Sequence, residues 1–209
     1  MSRAGEERAR TVKILTIADK EAPVLWEYLD RNLLDGVDLV LSCGDLAPQY
    51  LSFLATFVKC PVLYVHGNHD DCYDQTPPEG CICVEDTIYV HQGVRILGLG
   101  GSMRYKPGIH QYTQTEMNRR IRKLWLSLKR NGGIDILLAH APAQGLFDGK
   151  DLPHQGFQGF RHLLDTYRPA YFVHGHVHPS YGTHPREFCY HSTKIINAYE
   201  KQWIEYPRP

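Results

Sequence analysis

The chain has 209 residues, 43% of them hydrophobic and 22% charged, which suffices for a packed core and excludes intrinsic disorder. Lys plus Arg and Asp plus Glu both number 23, so no global field draws in a polyanion or an anionic membrane. No run approaches the roughly 18 consecutive apolar residues of a bilayer span, and the polar start Met1–Arg10 lacks an apolar signal region; the expectation is a cytoplasmic protein with no membrane partner.

Residues 1–11 read as a polar leader and 12–209 as one domain. Val12–Ala18 is a short β-branched run and reads as a buried strand. From Pro23, apolar Val24, Leu25, Tyr28, Leu29 and Leu33 recur at helical spacing until Gly36, which predicts a helix. Val37–Ser42 is a second strand, Leu46–Phe57 a helical face, and Val62–Val65 a third strand. This βαβαβ series implies parallel strands with helices packed on the sheet.

Ile82–Val90 and Val94–Leu99 flank His91-Gln92-Gly93, which predicts a hairpin and added antiparallel strands. Thr113–Arg130 reads as one long helix. Thr113 and Glu116 stand at capping-box spacing, and Met117, Ile121, Leu124, Trp125 and Leu128 form its apolar stripe. Its basic residues Arg119, Arg120, Arg122, Lys123, Lys129 and Arg130 read as a solvated face, so stable nucleic-acid binding is not expected. Ile134–Ala139 is a strand, Phe157–Tyr167 a helix, Tyr171–His174 a strand, and Tyr181–Tyr206 a set of short antiparallel strands. Six cysteines lack a C-x-x-C pair and read as reduced thiols, Cys81 and Cys83 included.

Side chains able to hold a metal fall where these strands end. Asp19 follows the first strand and Asp45 the second; Asn68, His69 and Asp70 follow the third. His140 follows the strand ending at Ala139, and His176 and His178 the next. Parallel strands deliver such residues to one edge of a sheet. Carboxylate, amide oxygen and imidazole together suit Mn²⁺, Fe²⁺ or Zn²⁺. Gly44, Gly67 and Gly175 precede ligands and permit sharp turns and close approach.

These segments, Asp19-Lys20-Glu21, Gly44-Asp45, Gly67-Asn68-His69-Asp70, His140 and Gly175-His176-Val177-His178, resemble the ordered motifs D-x-H, G-D, G-N-H-[DE], H and G-H-x-H of the calcineurin-like metallophosphoesterases. The resemblance implies a four-layer α/β/β/α sandwich and a centre of two divalent metal ions. By motif position, Asp19, Asp45 and His178 would hold the first ion, and Asp45, Asn68, His140 and His176 the second. His69 would be the general acid, with Asp70 either orienting it or serving as a salt-bridge partner or loop cap. Glu21 departs from the expected histidine, so it is either a degenerate ligand of the first site or a helix cap.

Arg104 and His154 are candidate substrate contacts, with an ordinary loop role as the alternative for each; His66 and His174, beside motif glycines, are candidate outer partners. His110 carries no assigned role. A chain this short leaves no room for a large cap, so diesters, cyclic nucleotides and phosphorylated small molecules could all reach the metals. The implied activity is phosphoester hydrolysis, with phosphodiesterase favoured over phosphomonoesterase by analogy with small uncapped members of that family. The alternatives are a non-catalytic binding scaffold on the same fold and a nuclease.

Overall fold

The computed structural model describes residues 11–178 and 185–208. The leader up to Arg10 and the start of the predicted tail, Tyr181–His184, lie outside these residues. The strands are β1 (Thr11–Ile17), β2 (Leu39–Ser42), β3 (Val62–Tyr64), β4 (Ile82–Cys83), β5 (Ile88–His91), β6 (Val94–Leu99), β7 (Ser102–Met103), β8 (Gln111–Tyr112), β9 (Ile136–Ala139), β10 (Tyr171–His174), β11 (Glu187–Tyr190), β12 (Thr193–Asn197) and β13 (Gln202–Pro207). The α-helices are α1 (Pro48–Phe57), α2 (Gln114–Lys123), α3 (Trp125–Arg130) and α4 (Gln158–Tyr167).

Two sheets form, in the orders β13-β1-β2-β3-β4 and β11-β12-β10-β9-β6-β5, with β7 and β8 as a small separate ladder. Each has a parallel centre with antiparallel strands at its edges: β13 on the first, β11 and β5 on the second. Alternation along the strands separates the core into three slabs. Val12, Ile14, Leu39, Leu41 and Leu63 of the first sheet meet Ile96, Ile136, Leu138, Val173 and Ile196 of the second. The opposite faces take Leu15, Ile17 and Val40 to Tyr50, Leu51 and Leu54 of α1. Leu97, Leu137 and Phe172 pack toward Met117, Ile121, Leu128, Phe160 and Leu163 of α2–α4. The architecture is the expected α/β/β/α sandwich.

Several expected elements differ. No α-helix forms after Pro23; the segment makes short 3-10 turns, Pro23–Leu25 and Arg31–Leu34. The Asp30 side chain accepts the Asn32 amide at 3.0 Å, a local bond that competes with helix, and Trp26 is drawn edge-on to Phe53, 4.8 Å between ring centroids. The Thr113–Arg130 helix has its capping box but breaks at Leu124, whose amide bonds to the Ile121 and Arg122 carbonyls. Trp125 consequently leaves the apolar stripe and is 59% exposed.

The Ile82–Val90 run divides between the sheets, because Asp86 takes a left-handed turn (φ 52°) between β4 and β5. β12, expected to be antiparallel, pairs parallel with β10 and antiparallel only with β11. The β5–β6 hairpin closes on Gln92 and Gly93, both at positive φ (48° and 85°), the conformation that two-residue turns need.

Candidate metal centre

The loops that carry the candidate ligands come from two sheets rather than from one edge. Loops after β1, β2 and β3 bring Asp19, Asp45 and Asn68; those after β9 and β10 bring His140, His176 and His178. Backbone contacts lock the loops together: Asp19 N–H donates to the Gly44 carbonyl (3.2 Å), and Gly175 N–H to that of His140 (3.0 Å). Gly44 sits at φ 93°, and a Cβ there would lie 2.1 Å from Gly67 N, so neither loop could close on the other with a larger residue.

His140 is the hub. Its Nδ1 lies 2.8 Å from the Cys43 carbonyl, a group that can only accept, so Nδ1 carries the proton and Nε2 presents a lone pair in the neutral ring. Around that Nε2 stand Asn68 Oδ1 at 3.0 Å, His176 Nδ1 at 3.1 Å and Asp45 Oδ2 at 3.4 Å. His176 Nε2 in turn faces the Pro153 carbonyl at 2.8 Å, which leaves its Nδ1 as the acceptor atom. Four acceptor atoms thus converge with no donor of their own. Such a set is repulsive until a cation or proton enters it. Burial opposes charge on His140, yet Asp45, Asp19 and Asp70 together raise its pKa above the ordinary value, so the local field calls for positive charge. The donor set of imidazole, carboxylate and amide oxygen fits a divalent transition metal, and Asp45, His140 and His176 bring ligand atoms within 4.8 Å of one another.

Asp19 lies beside this cluster. Its two carboxylate oxygens accept the His176 amide at 3.0 and 2.9 Å, and His178 Nε2 is 3.8 Å from Oδ1. Burial pushes the Asp19 pKa up to about 7, an effect that nearby His140 partly offsets. The Asp70 carboxylate accepts the amides of Asp45 (2.8 Å) and Gly67 (2.7 Å), tying the two glycine loops together. Burial and Asp45 raise its pKa to about 6 against those hydrogen bonds. His69 is exposed, with its amide donating to Asp45 Oδ1 at 2.8 Å. Asp19, Asp45, His69, Asp70, His154, His176 and His178 all line one cavity of about 480 Å³, together with Leu46, Ala47, Pro48 and Cys72.

Glu21 accepts the amide of Ala47 at 3.1 Å, which places its carboxylate on the residue capping α1. His154 reaches the cavity with Nδ1 on Asp151 Oδ2 (2.6 Å) and its ring 5.0 Å from that of His176. Arg104 is not part of the cavity wall; Glu116 Oε2 holds it at 2.9 Å. His174 Nδ1 faces the Gly175 carbonyl at 2.9 Å, and His66 pairs with Glu85 at 3.2 Å.

Sequence reasoning missed the carbonyls of Cys43 and Pro153, which have no residue-type signature. It also missed Glu85, which accepts the His66 amide (3.0 Å) and pairs with Arg120 Nη2 (3.1 Å). Arg120, expected on the solvated helix face, has a side chain only 11% exposed.

A family profile described as calcineurin-like phosphoesterase matches residues 17–180. One solved crystal structure superposes with a TM-score of 0.67 at 13% identity, over 93% of this chain and 95% of its own. The crystal structure of TT1561 of Thermus thermophilus superposes at 0.63 and 16% identity, over 91% and 90%. That of Vps29 of Chaetomium thermophilum gives 0.40 and 14%, over 90% and 70%. No curated protein matches. At these identities the first two likenesses speak to fold alone.

Proposed function

The chain belongs to the calcineurin-like phosphoesterase family, and on that premise we propose that it hydrolyses small phosphodiesters with divalent metal ions held by Asp19, Asp45, Asn68, His140, His176 and His178. The observation that carries this reading is the convergence of four acceptor atoms on a point with no donor. Divalent cations bound there supply Lewis acidity toward the phosphoryl oxygens and the attacking water.

The chain's own residues do the rest. Asp70 and the paired glycines fix the two loops, and the Asp45 bond to the His69 amide sets where that imidazole enters the cavity. His69 protonates the leaving oxygen as the P–O bond breaks. His154, braced by Asp151, lines the same cavity and positions the substrate there. Among the described residues no Lys or Arg lines the cavity. A monoester dianion would lack a side-chain cation there, whereas a diester carries a single negative charge; this favours the diester. The unpaired state of the six cysteines suits a reducing, cytoplasmic setting.

The test is hydrolysis of a diester and a monoester sharing one leaving group, with added Mn²⁺, by the parent and by His69→Asn. The diester should turn over with the higher kcat/KM. His69→Asn should slow poor leaving groups by roughly a hundredfold or more with metal content unchanged. Equal rates in parent and variant would remove His69 from the reaction.

A further inference from the structure

On the far side of the loop that carries Asn68 and His69 lies a second cluster. His66 follows β3, Asp74 closes the short turn Asp71–Asp74, and His110 directly precedes β8. Each offers one ligand atom, and these atoms lie within 4.8 Å of one another. His110 is only 5% exposed, and neither of its ring nitrogens has a hydrogen-bond partner among the described residues. Burying a polar atom without a partner is unfavourable, so a ring with both nitrogens bare calls for an occupant that satisfies it.

His66 supplies the second observation. Its Nδ1 stands 3.2 Å from Glu85 Oε1, in ion-pair contact without hydrogen-bond alignment, and Arg120 fixes Glu85 from behind at 3.1 Å. A carboxylate against a ring nitrogen is the kind of outer partner that positions a metal-binding imidazole, and Cys83 also contacts this ring. Tyr64 and Tyr73 wall the ring, each with its centroid 5.5 Å away, while Asp74 remains exposed and opens the cluster to solvent.

We propose that His66, Asp74 and His110 form a further cation site for a borderline divalent ion such as Zn²⁺ or Co²⁺, separate from the cavity around Asp45. Two imidazoles and a carboxylate match that ion class. The His66 and His110 rings now stack in parallel, 4.2 Å apart with 7° between planes. An ion must lie in the plane of each ring it meets, so His110 turns to receive it. No polar bond of its own resists that rotation. Once filled, the site ties β3 and the strand after His110 to the turn that follows His69 and Asp70, bracing the catalytic loop from behind.

Chelator-stripped full-length protein is dialysed to equilibrium with Co²⁺, and bound metal is counted together with its visible spectrum. The parent should bind one ion more than either Asp74→Asn or His110→Gln, and the spectral component belonging to that ion should vanish in both. Asp74→Asn changes an exposed residue and so keeps the comparison valid if His110→Gln disturbs packing. Uptake and spectra equal in the parent and Asp74→Asn overturn the proposal and leave a stacked imidazole pair. Asp45→Asn separates the two centres. If it changes nothing while Asp74→Asn removes an ion, the reading of the principal centre fails and this site stands.

Discussion

Asp19, Asp45 and His176 adopt left-handed backbone conformations, at φ 64°, 56° and 66°. For residues with a Cβ that region costs roughly 1–2 kcal/mol each, so these three candidate ligands carry backbone strain that the bonds among the loops hold in place. Burial adds an electrostatic cost at Asp19, whose pKa of about 7 stands far above the ordinary carboxylate range. A carboxyl raised on folding favours the folded state while it is protonated and loses that advantage as pH rises through about 7. Asn never ionises. In metal-free protein, Asp19→Asn should therefore gain thermal stability relative to the parent as pH rises from about 4 to about 7, and the gain should flatten above. A difference independent of pH would show that Asp19 carries no such shift. Gly67 yields a second prediction at this scale. A Cβ there would fall 2.0 Å from Asp45 Oδ1, so Gly67→Ala should displace the Asp45 carboxylate, cost on the order of 3 kcal/mol and lower metal affinity together. Normal metal titration of that variant would contradict the placement of Asp45. The candidate ligands were legible because the loops that carry them each follow an apolar strand run, with a glycine directly before Asp45, Asn68 and His176. Glu21 was legible as a departure, but its direction was not. The Ala47 amide that binds it is 26 positions away, beyond any local pattern.

Elements were legible where one periodicity ruled. β10 runs over Tyr171–His174 as read, and the capping box of α2 is present with both of its bonds. They failed where tertiary contacts override local preference. The helical spacing after Pro23 is real, but the Asp30 turn and the Trp26 contact with Phe53 hold the chain in short turns. Arg120 was misread for the same reason: its neighbours on the helix suggest solvent, while its partners Glu85, Asp86 and the Gly100 carbonyl lie on a different segment. That network anchors α2 to the segments after β4 and β6 and, through Glu85, to the His66 amide after β3. Glu85→Gln should cost about 2 kcal/mol through the loss of charged hydrogen bonds, a fall in Tm on the order of 6 °C, with the fold retained. An unchanged Tm would mean that Asp86 and the Gly100 carbonyl suffice to hold Arg120.

Sheet membership is a property of the whole molecule and was not written in any local pattern. A buried strand reads alike in either sheet, so the ligand loops looked like the edge of one sheet, whereas β1–β3 and β9–β10 belong to two. The interior slab aligns the ends of those parallel strands. His140 Nδ1 reaching the Cys43 carbonyl and the His176 amide reaching Asp19 are the bonds that join them across the sandwich. A centre built this way depends on both halves staying in register, so loading with metal should stabilise the folded chain as one unit. The most direct measurement follows turnover of an activated phosphodiester by chelator-stripped protein as Mn²⁺ is restored, with Asp45→Asn alongside. Hydrolysis should appear only as metal returns, and the variant should stay below the parent by a factor of at least about a hundred. Turnover that ignores metal, or equal rates in the two proteins, would contradict a shared cation at Asp45 and His140.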